Sequence, residues 1–106
     1  MEAPNIITVD LIRATLKNAE LKPSQRRISL PMVLDYFKLL EHGSAAPHIK
    51  VSDNELIIEG HHRYIAGILF GKLPDHVPGT RAFSAIIYEW AEIDIDLNDW
   101  RKRKIK

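Results

Sequence analysis

Cysteine is absent from this chain of 106 residues, and its absence excludes several classes of function. Without a thiol there is no disulfide framework, no thiolate nucleophile and no zinc site built on cysteine. Long apolar runs are missing too, since no stretch approaches the roughly 20 residues of a membrane-spanning helix. The amino terminus, MEAPNIITVD, lacks the basic start and apolar core of a signal peptide. We therefore expect a cytoplasmic protein that makes no contact with a membrane.

A strong excess of charge is also missing, because 15 basic and 14 acidic residues nearly balance. Five of the basic residues lie in the last six positions, RKRKIK, so residues 1–100 carry 10 basic and 14 acidic side chains. Nucleic-acid binders usually show a basic stripe, and none is expected on this mildly acidic part. Two interpretations of the tail, residues 101–106, stay open: a contact with nucleic acid, or a solvated terminus.

What the chain does contain is typical of one globular domain with a real core, which we expect over residues 1–100. The apolar spacing of Leu30–His42 predicts a helix that begins behind the N-cap Ser29 and ends at Gly43. The segments His48–Val51 and Leu56–Glu59 predict a β-hairpin. The other predicted elements are a strand at Ile6–Val9, a helix at Leu11–Asn18, a helix from His61 or His62 to Phe70, a loop over LPDHVPGT, and strands in AFSAIIYEW and EIDIDL.

These elements predict an α/β (α+β) class, a single small domain with a small mixed sheet and two or three helices. Either a monomer or a homodimer is compatible with a chain of this size. Trp90 and Trp100 flank EIDIDL and have two interpretations, a partner-binding surface or core residues.

The segment GHHR, Gly60–Arg63, lies where the predicted hairpin ends and the next helix begins. A helix start has unpaired backbone N–H groups and a partial positive charge, which together attract anions. Gly60 lets a ligand approach the backbone, and Arg63 can bind two phosphate oxygens in parallel. His61 and His62 can donate further hydrogen bonds. The segment therefore favours a phosphate site.

Two other interpretations compete at this turn. In the first, the histidines are ordinary first-turn residues and Arg63 pairs with Glu59 or Glu55. In the second, the histidines bind a metal, but adjacent histidines do not share a helix face, and neither HxxxH nor HxH spacing occurs. We expect no metal site.

The stretch IIEGHHRYIAGILFG resembles the signature of the ParB/sulfiredoxin-like fold, in which a strand leads into a G-x-H-R or G-E-R-R turn and then a helix. Upstream, LKPSQRRISLPMVLDYFKLLEHGSAAPHIKV is similar to the other half of such a domain, with a P-x-Q-x-R box, a helix ending in glycine and a P-x-I-x-V strand. The similarity covers about residues 5–90, and the order of its two parts makes it more specific than either part alone.

The resemblance implies a nucleotide or phosphate site, because related turns bind the phosphates of CTP or ATP. By position, Glu59 is a candidate for a metal-facing or proton-handling carboxylate, or else a solvent-exposed strand end. The implied cofactor is ATP or CTP with Mg²⁺. The residues carried over as the phosphate cradle are Gly60, His61, His62 and Arg63, with Arg26 or Arg27 approaching from the upstream box.

This chain departs from the resemblance in two ways. Sulfiredoxin chemistry needs a cysteine where His61 stands, so it is excluded, and no helix-turn-helix pattern supports chromosome partition. No catalytic residue is assigned. Two functions remain: a nucleotide- or phosphate-binding domain with phosphohydrolase, kinase or nuclease activity, or a non-catalytic regulatory or interaction module that acts through a protein or nucleic-acid partner.

Overall fold

Three α-helices and five short strands make up the part of the fold that a computed structural model describes, residues 6–80 and 85–101. The α+β class with a small mixed sheet is confirmed. No helix within these residues is long and apolar enough to cross a membrane. In chain order the elements are α1 Val9–Leu16, β1 Arg27–Ser29, α2 Leu30–Glu41, β2 Ile49–Val51, β3 Ile57–Glu59, α3 His61–Phe70, β4 His76–Pro78, a 3-10 turn Trp90–Glu92, and β5 Asp94–Asp96.

The strands form two small sheets. In the first, the predicted hairpin is present, with β2 and β3 antiparallel and Lys50 opposite Glu59. The strand β4 adds to the other side of β2 in parallel. In the second sheet, β1 and β5 pair in parallel, with Ile28 opposite Ile95. On the other side of β3, the Ile57 N–H donates to the Lys22 carbonyl at 2.8 Å. The carboxyl end of β3 leads directly into α3.

The helix α2 forms as its local signals predict. The Ser29 hydroxyl accepts a hydrogen bond from the Met32 N–H at 3.4 Å, and a proline stands in the first turn, where its missing N–H costs nothing. Gly43 follows the helix with φ 87°, the left-handed conformation expected there. The side chains of Val33 and Phe37 are buried on its inner face.

The core lies between the two sheets and the three helices, with α2 and α3 packed against each other. The edge of the Phe37 ring meets Phe70 with centroids 5.7 Å apart, which links the two helices directly. The apolar side chains with almost no exposure are Ile12, Ile28, Val33, Ile49, Leu56, Ile57, Ile65 and Ile93.

Two sequence-based predictions are wrong in the first and third quarters of the chain. Ile6–Val9 is no strand, because Thr8 caps α1 by accepting a hydrogen bond from the Leu11 N–H at 3.1 Å. The proline-rich segment after α3 is more than a loop, because β4 pairs with β2 there. A proline ends β4 at Pro78, and an edge strand tolerates it because one side needs no donors.

The last predicted strands are only partly present. Residues 82–84 of AFSAIIYEW lie outside the described residues, and residues 85–89 form no strand. Glu89 and Glu92 instead exchange hydrogen bonds in a capping box that begins the 3-10 turn. In EIDIDL the alternation of acidic and apolar residues predicts that Ile93, Ile95 and Leu97 point inward. Ile93 is buried and Ile95 is half-buried, but Leu97 is 67% exposed.

The carboxyl-terminal tail begins with an exposed arginine that is ion-paired to the described part of the fold. Arg101 pairs with Asp35 of α2 and with Asp99. Residues 102–106, which hold the remaining basic side chains, lie outside the described residues.

Candidate functional site

The two sequence boxes meet at the start of α3. The backbone N–H of Ser24 donates to Nε2 of His61 at 2.9 Å, and the N–H of Ser29 donates to Nε2 of His62 at 2.9 Å. Residues 24–29, which we call the strap, are thus tied to the first turn of α3 at both ends. The strap is 33 to 37 residues away from these histidines in the chain. Tertiary structure brings together the segments that the resemblance pairs.

The two strap bonds determine the protonation state of both rings. A ring nitrogen that accepts a hydrogen bond carries no proton, so each histidine is neutral with its proton on Nδ1. Burial, with a smaller contribution from the neighbouring His62, lowers the pKa of His61 to about 4. Burial also lowers the pKa of His62 to about 4, with smaller contributions from the charges of Arg101 and Arg63. Near pH 7 neither imidazole is a cation.

A tryptophan ring packs against each of the two histidine rings. His61 meets Trp90 edge-on with centroids 6.5 Å apart, and His62 meets Trp100 edge-on at 5.2 Å. The Ser29 hydroxyl donates to the Asn98 carbonyl at 2.7 Å, which holds the segment with Trp100 in place. The predicted role of the histidines as phosphate donors therefore competes with a role that the geometry already gives them, the positioning of the strap.

The two tryptophans differ from each other. Trp90 is buried, and its indole N–H donates to the Leu21 carbonyl at 2.7 Å, so the core interpretation describes it. Trp100 is 41% exposed, and its indole N–H donates to the Asp96 carboxylate at 2.8 Å. Of the two tryptophans, Trp100 is therefore the one that a binding partner could contact.

Gly60 is needed by the fold itself. Its φ of 105° lies in the left-handed region, where a side chain is strained. A Cβ at this position would also come within 2.4 Å of Cγ2 of Ile49 on β2. The glycine gives α3 no side-chain cap, and the first hydrogen bond runs from the Tyr64 N–H to the Gly60 carbonyl at 2.9 Å. The N–H groups of the first turn, 61–63, therefore receive no acceptor from the cap residue.

Arg63 takes neither of the acidic partners that the competing interpretation assigns to it. Its guanidinium donates to the His48 carbonyl at 2.8 Å. Glu59 pairs across the hairpin with Lys50 at 3.6 Å and is exposed, as a solvent-exposed strand end would be. One bond uses only part of the five-donor guanidinium, so Arg63 retains donors for an anion.

The two strap arginines are both exposed but differ in their partners. Arg27 pairs with Asp96 across the parallel strands at 2.8 Å. The Arg26 carbonyl accepts the Asp94 N–H at 2.9 Å, and no side chain of residues 6–80 or 85–101 pairs with its guanidinium. Arg26 is therefore the strap cation that is available to a ligand.

At the start of α3 the side chains of His61 and His62 are buried, while Gly60 and Arg63 are half-buried. Four cavities of about 80 to 420 Å³ occur elsewhere in the described part of the chain, and residues 60–63 line none of them. Within the described ranges, no three His, Asp or Glu side chains come together in a way that would hold a metal ion.

Comparison with known proteins adds no support to the resemblance, which rests on the two sequence boxes alone. No protein-family model, no curated protein and no solved structure matches this chain. Ser24 and Ser29, which bind the histidines, are absent from the residues that the sequence singles out for the site. Nothing in a sequence pattern indicates these bonds, because their donors are backbone N–H groups that every residue except proline carries.

Proposed function

We propose that this chain is a small nucleotide- or phosphate-binding domain whose anion site lies between the start of α3 and the strap. The observation that carries the proposal is the pair of bonds from the strap to His61 and His62. Those bonds hold the segment that carries Arg26 against the helix start that carries Arg63. Two segments far apart in the chain are joined there by buried polar contacts, which favours a built site over a chance motif.

Three groups bind the anion in this proposal. The first-turn N–H groups of α3 supply oriented donors and the positive end of the helix dipole. Arg63 and Arg26 supply guanidinium groups, which suit phosphate oxygens. His61 and His62 act as positioning residues, because their Nε2 atoms accept from the strap and their rings are neutral.

The ligand class is ATP or CTP with Mg²⁺, with inorganic phosphate as the smallest form of the same chemistry. A nucleotide brings its own oxygen ligands for Mg²⁺, so the ion needs few protein carboxylates. Glu59 is the carboxylate next to the turn, and a phosphohydrolase, kinase or nuclease activity would have to use it or a water in that position. Its pairing with Lys50 at 3.6 Å is on an exposed surface and is easily exchanged.

Thermal unfolding of the purified chain tests the proposal. The ligands are ATP, ADP, CTP, phosphate and sulfate, each with and without Mg²⁺. A ligand at about 100 times its Kd stabilises the folded state by about 2.7 kcal/mol. For a domain of this size each kcal/mol raises Tm by about 4–8 °C, so the shift is easily measured.

Arg63→Ala and Arg13→Ala form a matched pair for this experiment. Both guanidinium groups donate to a backbone carbonyl, Arg63 to His48 at 2.8 Å and Arg13 to Ile93 at 3.0 Å. Each variant is compared with its own ligand-free Tm. We expect the shift to disappear in Arg63→Ala, to shrink in Arg26→Ala and to persist in Arg13→Ala. A shift that survives Arg63→Ala, or is lost in Arg13→Ala instead, contradicts the proposed site.

The second candidate function is a non-catalytic interaction module, and one observation favours it. Trp100 is 41% exposed and Leu97 is 67% exposed, and both precede the basic tail in the sequence. An exposed indole beside basic residues suits single-stranded nucleic acid, whose bases stack on aromatic rings. This function predicts no nucleotide shift at all. It also predicts binding of a labelled RNA or DNA oligonucleotide, in fluorescence anisotropy, that Trp100→Ala weakens.

A further inference from the structure

We propose that Trp100 is the base-stacking residue of the nucleotide site, so that the full ligand is a nucleoside triphosphate and inorganic phosphate fills only part of the site. This inference rests on the proposed function, because it adds a base subsite to the phosphate site at the start of α3. Trp90 and Trp100 both contact histidines of the first turn of α3, but Trp100 is 41% exposed and Trp90 only 6%.

Trp100 lies beside the groups that bind phosphate in the proposed site. His62 is the second residue of α3, and its ring meets Trp100 edge-on with centroids 5.2 Å apart. The charges of Arg101 and Arg63 both lower the pKa of this histidine, so both guanidinium groups lie near its ring. His62 is thus close both to the arginine of the phosphate site and to the segment that carries the exposed indole.

Polar contacts hold the indole in place and leave part of it accessible. The indole N–H of Trp100 donates to the Asp96 carboxylate at 2.8 Å. The next residue, Arg101, pairs with Asp35 of α2 and so ties this segment to the fold. A ring that is already positioned loses little freedom when a base stacks on it, which lowers the entropic cost of binding.

An exposed indole beside a phosphate site matches the two parts of a nucleotide. The phosphates carry the negative charge, which the first-turn N–H groups of α3, Arg63 and Arg26 receive in the proposed site. Every base has a π face that stacks on an aromatic ring, so the subsite accepts ATP and CTP alike. Stacking on Trp100 adds affinity that an inorganic anion lacks, and this is how the site distinguishes nucleotides from phosphate.

Two ligands separate the contribution of the base from that of the phosphates. ATP has both parts, whereas tripolyphosphate has three phosphates without base or ribose. Each is titrated with Mg²⁺ into the full chain and into Trp100→Leu, and calorimetry gives Kd. We expect Trp100→Leu to weaken ATP binding at least about tenfold, or about 1.4 kcal/mol, and to leave the Kd of tripolyphosphate unchanged. A general loosening of the fold would weaken both ligands.

Leu97→Ala and Trp100→Phe are the control variants. Leu97 is 67% exposed in the same segment, so its truncation removes exposed apolar surface and keeps the indole. Leu97→Ala should leave the Kd of ATP unchanged. Trp100→Phe loses the bond to Asp96 but keeps an aromatic face, so it should bind ATP more tightly than Trp100→Leu does.

Tryptophan fluorescence gives a second readout that a merely structural role of Trp100 would not produce. The chain has two tryptophans, so Trp100→Phe leaves only the buried Trp90. We expect ATP to quench the emission of the parent chain and tripolyphosphate to leave it unchanged. The quenching by ATP should be absent in Trp100→Phe.

The base subsite would be overturned by equal losses of ATP and tripolyphosphate affinity in Trp100→Leu, by an unchanged Kd of ATP there, or by an equal loss in Leu97→Ala. In each case tripolyphosphate still binds the parent chain, so the phosphate site survives. If neither ligand binds the parent chain, the proposed function fails and the base subsite fails with it. Binding of a single-stranded oligonucleotide without binding of ATP would also overturn the subsite and would assign Trp100 to the interaction module.

Discussion

The first turns of α2 and α3 begin in opposite ways. α2 begins behind Ser29, whose hydroxyl caps it locally, so all its signals lie within a few residues. α3 begins at a left-handed glycine without a side-chain cap, and its first two side chains accept bonds from a distant segment. Both starts use Ser29, through its hydroxyl for α2 and its N–H for α3. Polar residues at a helix start therefore do not by themselves indicate a ligand, since contacts within the fold can occupy them.

Acidification gives the largest expected effect and acts on the start of α3. Above pH 6.5 both histidines are neutral in the folded and unfolded states. As the pH falls from 6.5 to about 4, His61 and His62 become protonated in the unfolded chain but stay neutral in the folded state. The reason is that the folded state lowers both of their pKa values to about 4. Stability therefore falls with pH through this window, by roughly 3 kcal/mol for each histidine.

Urea unfolding at a series of pH values measures this loss. The control is His42→Gln, which removes an exposed histidine at the end of α2. We expect the slope between pH 6.5 and 4 to be unchanged in that variant. A stability that is flat across the window would show that the strap bonds do not keep the rings neutral.

Gly60→Ala gives the next largest effect. The new Cβ would stand 2.4 Å from Cγ2 of Ile49 and would occupy the left-handed region at φ 105°. Conformational strain and overpacking together should cost about 3 kcal/mol. Gly43→Ala is the matched control at the end of α2, because its φ is 87° but nothing lies within 4 Å of its added Cβ.

Chemical denaturation of both glycine variants provides the measurement. Gly43→Ala should cost only about 1 kcal/mol, the strain of the left-handed conformation alone. Equal losses in the two variants would mean that strand β2 yields at Ile49, and that the close approach at the start of α3 is not a requirement of the fold.

The smallest effect is expected from Ser29→Ala, which removes the cap of α2 and the hydroxyl's bond to the Asn98 carbonyl but keeps the N–H that binds His62. The loss of a serine cap typically costs about 1 kcal/mol. Circular dichroism during urea unfolding gives the stability of this variant. The pH dependence between 6.5 and 4 should stay as in the parent chain, since the strap bond is intact. A variant that loses the pH dependence would show that the hydroxyl, through Asn98, holds the strap in place.

The accuracy of sequence-based prediction varied along the chain for a physical reason. α2, the hairpin and α3 were predictable, because caps, apolar spacing and terminal glycines act over a few residues. The strand β4 was missed, because its pairing with β2 depends on a segment some 27 residues earlier, as in Ile49 opposite His76. Prolines in that segment point to a loop unless the strand lies at an edge.

The residue pattern alone predicts a small α+β chain without thiol chemistry, with Gly60–Arg63 at the start of a helix. The contacts of that segment's side chains depend on how distant parts of the chain pack. His61 and His62 accept backbone N–H groups from the strap, Arg63 donates to the His48 carbonyl, and Arg26 stays exposed. The reason is that a backbone N–H has no identity in the sequence, so its partner is chosen only when distant segments pack together.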